Sequence, residues 1–369
     1  MKVLLCSPFE TGDCKNKGGI AVWTKNIMDY SYTQADNVEI TLLPYNRSIY
    51  IHNKLNPIIR IWRGITDYLR LIRITKQKLK SEQFDVLHLS SSALISIIRD
   101  YIVMRMAKRF GVKGVIHFHC GRIPGMASAN NWRWKVLKRV VTNASATIVL
   151  DNESYKTLHN YGFDNVFQIP NPLSDNISER ALKLSKETER ISKRMLYVGH
   201  VIPTKGVYEL VEACAGIPNV DLFLVGLVKP EVEAELKEVV RNRAGDWCHL
   251  IGEKSHDEVL QEMAKCDVFV FPSYTEGFPN VIIEAMACGC PIIASAVGAI
   301  PEMLGVEDTY QSGVVVQPKD VDGLKSEILN LIDNNSVKKE LSLRAQKRVK
   351  DMYAIDSVWK RIIKVWYAN

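Results

Sequence analysis

The chain of 369 residues is predicted to be an α/β protein with two doubly wound, Rossmann-like domains that face each other across a cleft. Short apolar runs alternate with amphipathic segments, which is the pattern of a parallel sheet covered by helices on both faces. This pattern occurs twice, on either side of a charged stretch that contains no apolar run. The length is also sufficient for two domains with a separate core in each.

In the first half, apolar runs bounded by turn residues predict six strands, and longer amphipathic patterns predict helices between them. The predicted strands are Lys2–Ser7, Val38–Leu43, Asp85–Leu89, Val115–His119, Ala146–Leu150 and Val166–Ile169. The predicted helices are Ile20–Tyr30, Ile58–Lys80, Leu94–Phe110 and Trp132–Asn143.

The second half repeats this alternation. Its predicted strands are Arg194–Gly199, Val220–Val225, Trp247–Ile251, Val268–Phe271, Ile292–Ser295 and Gly313–Val316. Its predicted helices are Tyr208–Ala215, Glu231–Ala244, His256–Ala264 and a segment through Ala285–Gly289. We therefore expect a first domain at residues 1–174, a linker at 175–193 for which a partly helical structure remains open, a second domain at 194–354 and an amphipathic C-terminal helix at 355–369.

Composition narrows the class of protein. Hydrophobic residues make up 47% and charged residues 24% of the chain, an ordinary globular mixture. The eight cysteines form no Cys-x-x-Cys pair, so we expect buried reduced thiols and neither a disulfide framework nor a metal site. The first apolar run is too short for a signal peptide, and no run of about 18 apolar residues predicts a membrane-spanning helix.

Charge is distributed unevenly along the chain. Residues 1–172 contain 24 Lys and Arg against 12 Asp and Glu, a balance of +12, whereas the remainder contains 24 against 29, a balance of −5. The first half is therefore expected to face an anionic partner such as a membrane surface, a phosphorylated acceptor or nucleic acid. The alternative is that the extra basic residues only aid solubility.

Two glutamates carry the strongest functional signal. Glu276 lies in a Gly- and Pro-containing loop after a strand, and Glu284 lies in the helix that follows. A loop that leads into a helix N-terminus, here through Gly277–Asn280, offers free backbone N–H groups that suit a diphosphate. Carboxylates accept hydrogen bonds from sugar hydroxyls. The combination suggests a nucleotide-sugar site, although two solvated glutamates at an ordinary strand–helix turn would give the same local pattern.

Two further candidates lie in the first half. Gly18 and Gly19 follow the first strand, where the absence of side chains lets a diphosphate or a sugar approach the backbone. His117 and His119 stand at the end of a predicted strand, and the two-residue period places both on one face. We favour His119 as the functional residue by its position and keep His117 as the second choice. Histidines that satisfy core polar groups are the structural alternative.

The second half resembles the family 4 glycosyltransferases, retaining enzymes with the GT-B fold. Their donor motif has two glutamates separated by seven residues, followed by a strand and a loop that ends in Pro-Glu. The matching segments here are Glu276–Glu284, Gly289–Ser295 and Gly298–Glu302.

Tyr197–Gly206 resembles the family's strand and loop in which an arginine and a lysine neutralise the donor's diphosphate. Lys205 matches the lysine, whereas His200 stands where arginine is usual. A neutral imidazole offers one donor and not a fork of five, so donor binding is expected to be weaker or to depend on pH. The match is strong over about residues 194–316 and loose in the first half.

The resemblance implies transfer of a sugar from a nucleoside diphosphate sugar, with UDP favoured and GDP possible, to a hydroxyl of a saccharide or lipid-linked acceptor. The resemblance also implies that Glu276 and His119 serve catalysis, that Glu284 binds the ribose and that Ile251 lies near the base. The substrate-binding residues that it implies are Gly18, Gly19, His117, His200, Lys205, Ile251, Gly277, Phe278, Pro279, Asn280 and Glu284.

The resemblance further implies that the first domain binds the acceptor, that the C-terminal helix crosses back to it, and that the chain acts in polysaccharide biosynthesis. Retention without an identified nucleophile favours front-face displacement. We expect no cofactor and no metal, because no Asp-x-Asp motif follows a strand. A sugar-nucleotide epimerase or phosphorylase, and a non-enzymatic binder of anions or nucleic acid, remain alternatives, although nucleic acid would leave the glutamate motif unexplained.

A membrane is a further candidate partner. Ile58–Lys80 has apolar residues at helical spacing, including Trp62, and several arginines and lysines, as in helices that lie on anionic bilayers. The alternative is that the apolar face packs on the domain's own sheet. We therefore expect a cytoplasmic protein that contacts the inner face of the membrane peripherally.

Overall fold

The computed structural model describes residues 1–9, 18–34, 37–45, 57–93, 96–241 and 246–368, without the side chains of residues 57–61, 63 and 241. Three positions from the sequence predictions lie outside the described residues, namely the helix start at Leu94, the helix end at Ala244 and the cysteine Cys14. The chain divides into two compact units. One comprises Met1–Pro172 with Ile355–Asn369, and the other comprises Leu173–Ala354.

The first unit is built on a parallel sheet of six strands. These are β1 (Lys2–Ser7), β2 (Glu39–Pro44), β3 (Val86–Ser91), β4 (Lys113–Phe118), β5 (Ala146–Val149) and β6 (Val166–Gln168). Its helices are α1 (Gly19–Ser31), α2 (Pro57–Ser81), α3 (Ile97–Arg109), α4 (Ile123–Ala129), α5 (Trp132–Asn143) and α6 (Asn152–Asn160). The strand order is β2-β1-β3-β4-β5-β6, so the order reverses at β1 and β3.

The second unit has the same plan. Its strands are β7 (Arg194–Val198), β8 (Asp221–Val225), β9 (Cys248–Gly252), β10 (Val268–Phe271), β11 (Ile292–Ser295) and β12 (Val314–Val316). Its helices are α7 (Asp175–Glu187), α8 (Val207–Ala215), α9 (Pro230–Arg241), α10 (His256–Lys265), α11 (Asn280–Ala287), α12 (Ile300–Leu304), α13 (Val321–Asp333) and α14 (Asn335–Arg348). The order is β12-β11-β10-β7-β8-β9, with all pairs parallel.

The C-terminal helix α15 (Ile355–Tyr367) belongs to the first unit. Its apolar stripe packs with Trp23 and Ile27 of α1 in one core cluster. Trp366 also donates a hydrogen bond from Nε1 to Nδ1 of the buried His88, at 3.0 Å. The stripe consists of Ile355, Val358, Trp359, Ile362, Val365 and Trp366, all buried.

The prediction of an α/β chain with two doubly wound domains is confirmed. Residues 175–193, predicted as a linker, contain α7, whose Ala181 and Leu184 are buried in the core of the second unit. The charged residues of this segment had concealed its sparse apolar face. The strand predicted at Val115–His119 is observed as Lys113–Phe118, so His119 follows the strand and does not end it. The structure adds α4, α6, α12, α13 and α14, which the sequence pattern did not predict.

The strand order of the second unit determines where a ligand would bind. The chain passes from β7 outwards through β8 to β9, and then returns to the other side of β7 with β10. The loops that follow β7 and β10 therefore leave the sheet in opposite directions. In open α/β sheets, the carboxyl ends of strands at such a reversal form the ligand-binding crevice.

Candidate functional site

The loop after β7 brings Lys205 to the reversal point of the second unit. A short 3-10 turn, Pro203–Lys205, ends at Gly206, which has φ +70°. A Cβ at Gly206 would lie 2.0 Å from the carbonyl oxygen of Pro272, just beyond β10. Only glycine permits this backbone approach. The main chain of the two loops is also joined where Tyr274 N–H donates to the Thr204 carbonyl, at 3.0 Å.

This close approach places Lys205 next to Glu276 in the loop after β10. Lys205 Nζ lies 2.5 Å from Glu276 Oε1, and their side chains are only 26% and 13% exposed. The two residues are 71 positions apart in sequence. The predicted phosphate-binding cation and the predicted sugar-binding carboxylate are thus brought together as an ion pair.

The Glu276 loop is fixed from its other side by the segment after β11. Gly298 has φ +56°, and a Cβ there would lie 2.4 Å from the Glu276 carbonyl oxygen. Ala299 N–H donates to the Gly277 carbonyl oxygen at 2.9 Å. The loop conformation therefore depends on backbone contacts that a side chain at position 298 would disrupt.

Helix α11 begins where this loop ends. Pro279 is its N-cap residue, and the Pro279 side chain makes no capping hydrogen bond. Backbone amides at a helix N-terminus favour an anion. Phe278 packs edge-on against Tyr353, with ring centroids 6.0 Å apart, which fixes the entry to the helix.

Glu284 lies on α11 and contacts a residue that sequence reasoning had not connected to it. His256 Nε2 is 3.1 Å from Glu284 Oε1. The hydrogen bond to Glu284 raises the pKa of His256, while partial burial opposes this rise. His256 was predicted only as the start of a helix. Its partner is 28 residues away on another helix, and the capping pattern that begins with Ser255 was the one local signal.

Two other predicted residues of this unit lie near the carboxyl ends of β7 and β9, two strands that β8 separates in the sheet. His200 is exposed in the loop after β7, and its carbonyl oxygen accepts a hydrogen bond from the Tyr197 hydroxyl at 2.9 Å. Burial first and the charge of Glu276 second raise the pKa of Tyr197, so this hydroxyl remains a donor. Ile251 is exposed near the end of β9. Sequence reasoning had not identified Tyr197 as a support of the loop.

The predicted histidines of the first unit differ in access. His117 is fully buried, and its ring stacks on that of His119 with centroids 3.9 Å apart. His119, just beyond β4, is only partly buried. Burial lowers the pKa of His119 to about 3 and that of His117 well below its ordinary value, so both imidazoles are neutral near pH 7. The exposed part of His119 does not include its ring nitrogens, which are buried like those of His117.

The predicted glycines lie at the start of α1. Gly18 is the N-cap residue of this helix, and Gly19 is its first residue. Among the atoms of the described residues, none lies within 4 Å of the position that a Cβ on Gly18 would occupy.

Within the described ranges, no group of three or more His, Cys, Asp or Glu side chains is arranged to hold a metal ion. Among the helices that the structure describes, none is both long enough and apolar enough to cross a bilayer. The seven cysteines in the same part of the chain are free thiols.

Comparison with known proteins identifies two matching family models. Residues 179–348 match the model for glycosyl transferases group 1, and residues 18–176 match the model for glycosyltransferase family 4. The chain is 27% identical to an uncharacterised glycosyltransferase of Methanocaldococcus jannaschii over 88% of its length and 87% of that protein.

Two further similarities extend over nearly the whole chain. It is 24% identical to the capsular polysaccharide biosynthesis glycosyltransferase CapM of Staphylococcus aureus, over 94% of this chain and 91% of that protein. The crystal structure of Anabaena HepE in complex with UDP superposes with a TM-score of 0.69 at 17% identity, covering 99% of each chain. At this identity the superposition establishes the shared GT-B fold.

Proposed function

Because the chain belongs to the glycosyltransferases of group 1 and family 4, we propose that it transfers a sugar, with retention of configuration, from a UDP-sugar to a hydroxyl of a saccharide or lipid-linked acceptor. The observation that carries this proposal is the pairing of Lys205 with Glu276 at the strand-order reversal of the second unit. One cation and one carboxylate are what a sugar-linked diphosphate requires at adjacent positions.

Donor binding would exchange the contact between Lys205 and Glu276 for contacts to the ligand. Lys205 would turn to the diphosphate, for which an ammonium group is a compact positive partner. Glu276, released from the lysine, would accept a hydrogen bond from a hydroxyl of the transferred sugar. The first turn of α11 and His200 would complete the contacts to the diphosphate.

Catalysis would then rest on stabilisation of the departing diphosphate. The bond between the anomeric carbon and the phosphate oxygen breaks, and the acceptor oxygen bonds to the same face of that carbon. The proton of the acceptor passes to the leaving phosphate oxygen. Lys205, His200 and the α11 amides favour the charge that develops on the leaving group. The resemblance assigns His119 a catalytic role; because burial keeps its imidazole neutral at pH 7, it would act as a hydrogen-bonding group and not as a charge.

The choice of donor and pathway follows from the relatives. HepE was crystallised with UDP, and CapM acts in capsular polysaccharide biosynthesis. We accordingly favour UDP over GDP, and a role in polysaccharide biosynthesis. No metal is assigned to the reaction, so EDTA is expected to leave the turnover unchanged. Loss of turnover with EDTA and its recovery with Mg²⁺ would overturn the assignment.

A thermal-shift screen tests the donor. UDP, GDP, ADP and their glucose conjugates are each added to the wild type and to Lys205→Met. A ligand at 100 times its Kd stabilises the folded state by about 2.7 kcal/mol, so a true donor raises the Tm visibly. We expect the largest rise with UDP compounds and little rise in Lys205→Met. No shift with any nucleotide would overturn the proposal.

A product assay on UDP-sugars tests the alternatives. Free sugar released without acceptor, or an epimerised product, would favour the epimerase or phosphorylase alternative.

Helix α2 supports peripheral binding to an anionic membrane. Trp62 and Leu69 are 65% and 60% exposed, and Ile65 between them is also exposed. Helical spacing continues this stripe into the exposed Arg73 and Lys76. The outer face is thus apolar in its first half and basic in its second half, whereas Leu71, Thr75 and Leu79 are buried on the opposite face. Such a face suits acidic headgroups over an apolar layer.

Liposome sedimentation tests this contact. Vesicles that contain phosphatidylglycerol should bind the wild type at low salt and release it at high salt. Trp62→Ser with Leu69→Ser should abolish binding. Leu343→Ser, which alters an exposed leucine on α14 of the second unit, is the control. Equal binding of the double variant and the wild type would refute docking through α2.

A further inference from the structure

His256 occupies a fixed position at the start of α10. Ser255 forms a capping box with Glu258, in which the Ser255 hydroxyl accepts from Glu258 N–H and the Glu258 carboxylate accepts from Ser255 N–H at 2.9 Å. This pair of bonds anchors the first turn of the helix. The backbone from which the imidazole projects is therefore held independently of any ligand.

A second device fixes α10 relative to α11. The guanidinium of Arg190 donates to the Cys266 carbonyl at the end of α10, at 2.6 Å. It also donates to the Cys288 and Gly289 carbonyls at the end of α11, at 2.9 and 2.8 Å. One cation thus joins the negative ends of both helix dipoles. Arg190 thus ties together the C-terminal ends of the two helices that carry His256 and Glu284.

The two side chains in this contact, Glu284 and His256, differ in their exposure to solvent. The Glu284 side chain is 17% exposed, whereas the His256 side chain is 48% exposed and lies on the solvent side. A carboxylate has two oxygens and about four acceptor positions, so an imidazole on Oε1 leaves capacity for hydroxyl groups. A held carboxylate binds a diol more tightly than a freely rotating one, because less side-chain entropy is lost on binding.

We propose that His256 is a positioning residue of the donor site, which donates a hydrogen bond to Glu284 and holds that carboxylate in the orientation that accepts the ribose hydroxyls of a nucleoside diphosphate sugar. The inference rests on the proposed function, in which Glu284 binds the ribose. It adds a residue that acts through Glu284 and does not touch the reacting atoms.

The alternative is an ion pair of no functional consequence, since exposed pairs contribute about 0–1 kcal/mol. The carboxylates that act on His256 are Glu284 from α11 and Asp257 from its own helix, and both raise its pKa. A protonated imidazole makes the stronger, charge-assisted bond to Glu284. Donor affinity therefore falls as the pH rises through the raised pKa of His256, and this dependence weakens when the residue no longer titrates.

Isothermal titration of UDP-glucose separates these alternatives. His256→Ala is expected to weaken binding about tenfold, in line with the loss of a hydrogen bond to a charged group. His256→Gln, whose amide nitrogen reproduces the Nε2 donor, should bind within about threefold of the wild type. The matched control is His159→Ala, an exposed histidine of the first unit that also lies beside a carboxylate, that of Asp164, at 3.9 Å.

The pH profile and the kinetics supply readouts that a structural role would not move. Between pH 6 and 8.5 the wild-type Kd should rise, whereas that of His256→Gln should rise less steeply. His200, the other exposed histidine of the site, is tested separately with His200→Arg. In turnover assays, His256→Ala should raise the donor KM and leave kcat nearly unchanged.

Two failures are distinguishable. If the wild type binds UDP-glucose and His256→Ala binds it equally well, the positioning role is refuted and the proposed function is not. If the wild type binds none of the UDP, GDP or ADP sugars, the proposed function fails and the inference fails with it. A double-mutant cycle with Glu284→Gln gives a further decision, because additive effects of the two changes would show that His256 does not act through Glu284.

Discussion

Mild acid is expected to destabilise the first unit steeply, because three histidine rings are packed there as neutral imidazoles. Burial lowers the pKa of His88 to about 3 and that of His119 to about 3, and it lowers the pKa of His117 well below its ordinary value. The rings of His88 and His117 lie 5.4 Å apart, and His117 stacks on His119. A positive charge on one ring therefore meets apolar or like-charged surroundings.

The sign of the effect follows from linkage. In the unfolded chain these histidines titrate near pH 6.5, whereas in the folded chain they resist protonation. Their contribution to stability is complete above about pH 6.5 and is lost as the pH falls towards 3. Each such histidine contributes about 1.4 kcal/mol per pH unit to the slope of the free energy of unfolding against pH. Because the slope develops gradually around pH 6.5, three of them remove about 5 kcal/mol between pH 6.5 and pH 5, against a typical total of about 5–15 kcal/mol.

Urea unfolding at pH 7.5, 6 and 5 measures this loss through tryptophan fluorescence. The buried indoles of Trp23, Trp134, Trp359 and Trp366 report on the first unit. His117→Leu is the informative variant, because in the part of the chain that the structure describes neither ring nitrogen of His117 has a hydrogen-bond partner. The variant should fold at pH 7.5 and show a pH slope about one third smaller.

A buried residue that does not titrate gives the control, since Leu137→Ala should lower the free energy of unfolding and leave its pH slope unchanged. An equal free energy of unfolding for the wild type at pH 7.5 and pH 5 would refute the reasoning. A slope in His117→Leu that matches the wild type would also refute it, because it would place the titrating groups elsewhere.

Three other changes test the framework of the second unit. Arg190→Met should lower the free energy of unfolding of the second unit by about 3 kcal/mol, because carbonyl groups at two helix ends lose their hydrogen-bond donor. A decrease of less than about 1 kcal/mol in urea unfolding would contradict this. Gly206→Ala should cost about 3 kcal/mol, since a left-handed backbone meets the Pro272 carbonyl, and it should weaken UDP binding by misplacing Lys205. His200→Arg should bind UDP-glucose more tightly and with less dependence on pH from 6 to 8, and identical pH profiles for the wild type and this variant would exclude a role for the histidine.

The sequence predicted the fold through local patterns, and it failed where the pattern was weak or the contact distant. Buried parallel strands such as Val268–Phe271 are short apolar runs, and these were recognised with the observed bounds. Helix α7 has few apolar positions among many charges, so its Ala181 and Leu184 gave no readable stripe. The charged face of α7 is solvated. Only the packing of α7 in the core of the second unit shows that its opposite face is buried.

The candidate site shows the same division. Lys205, Glu276 and Glu284 were identifiable because each belongs to a local motif. That Lys205 and Glu276 touch, and that Glu284 meets His256, depends on strand order and helix packing over 71 and 28 residues of sequence. Hydrophobic periodicity in the sequence does not show which residues so far apart along the chain are in contact. The support that Arg190 gives to two helix ends was hidden for the same reason.

The central claim is that the paired Lys205 and Glu276 form the seat of a sugar-linked diphosphate, and titration of UDP and UDP-glucose at pH 8 tests it most directly. Lys205→Met should weaken both ligands at least about tenfold. Glu276→Gln should bind UDP as well as the wild type or more tightly, because the lysine is freed, but should lose the additional affinity that the glucose confers. Unchanged binding of both ligands by Lys205→Met, or parallel losses of UDP and UDP-glucose in Glu276→Gln, would contradict the claim.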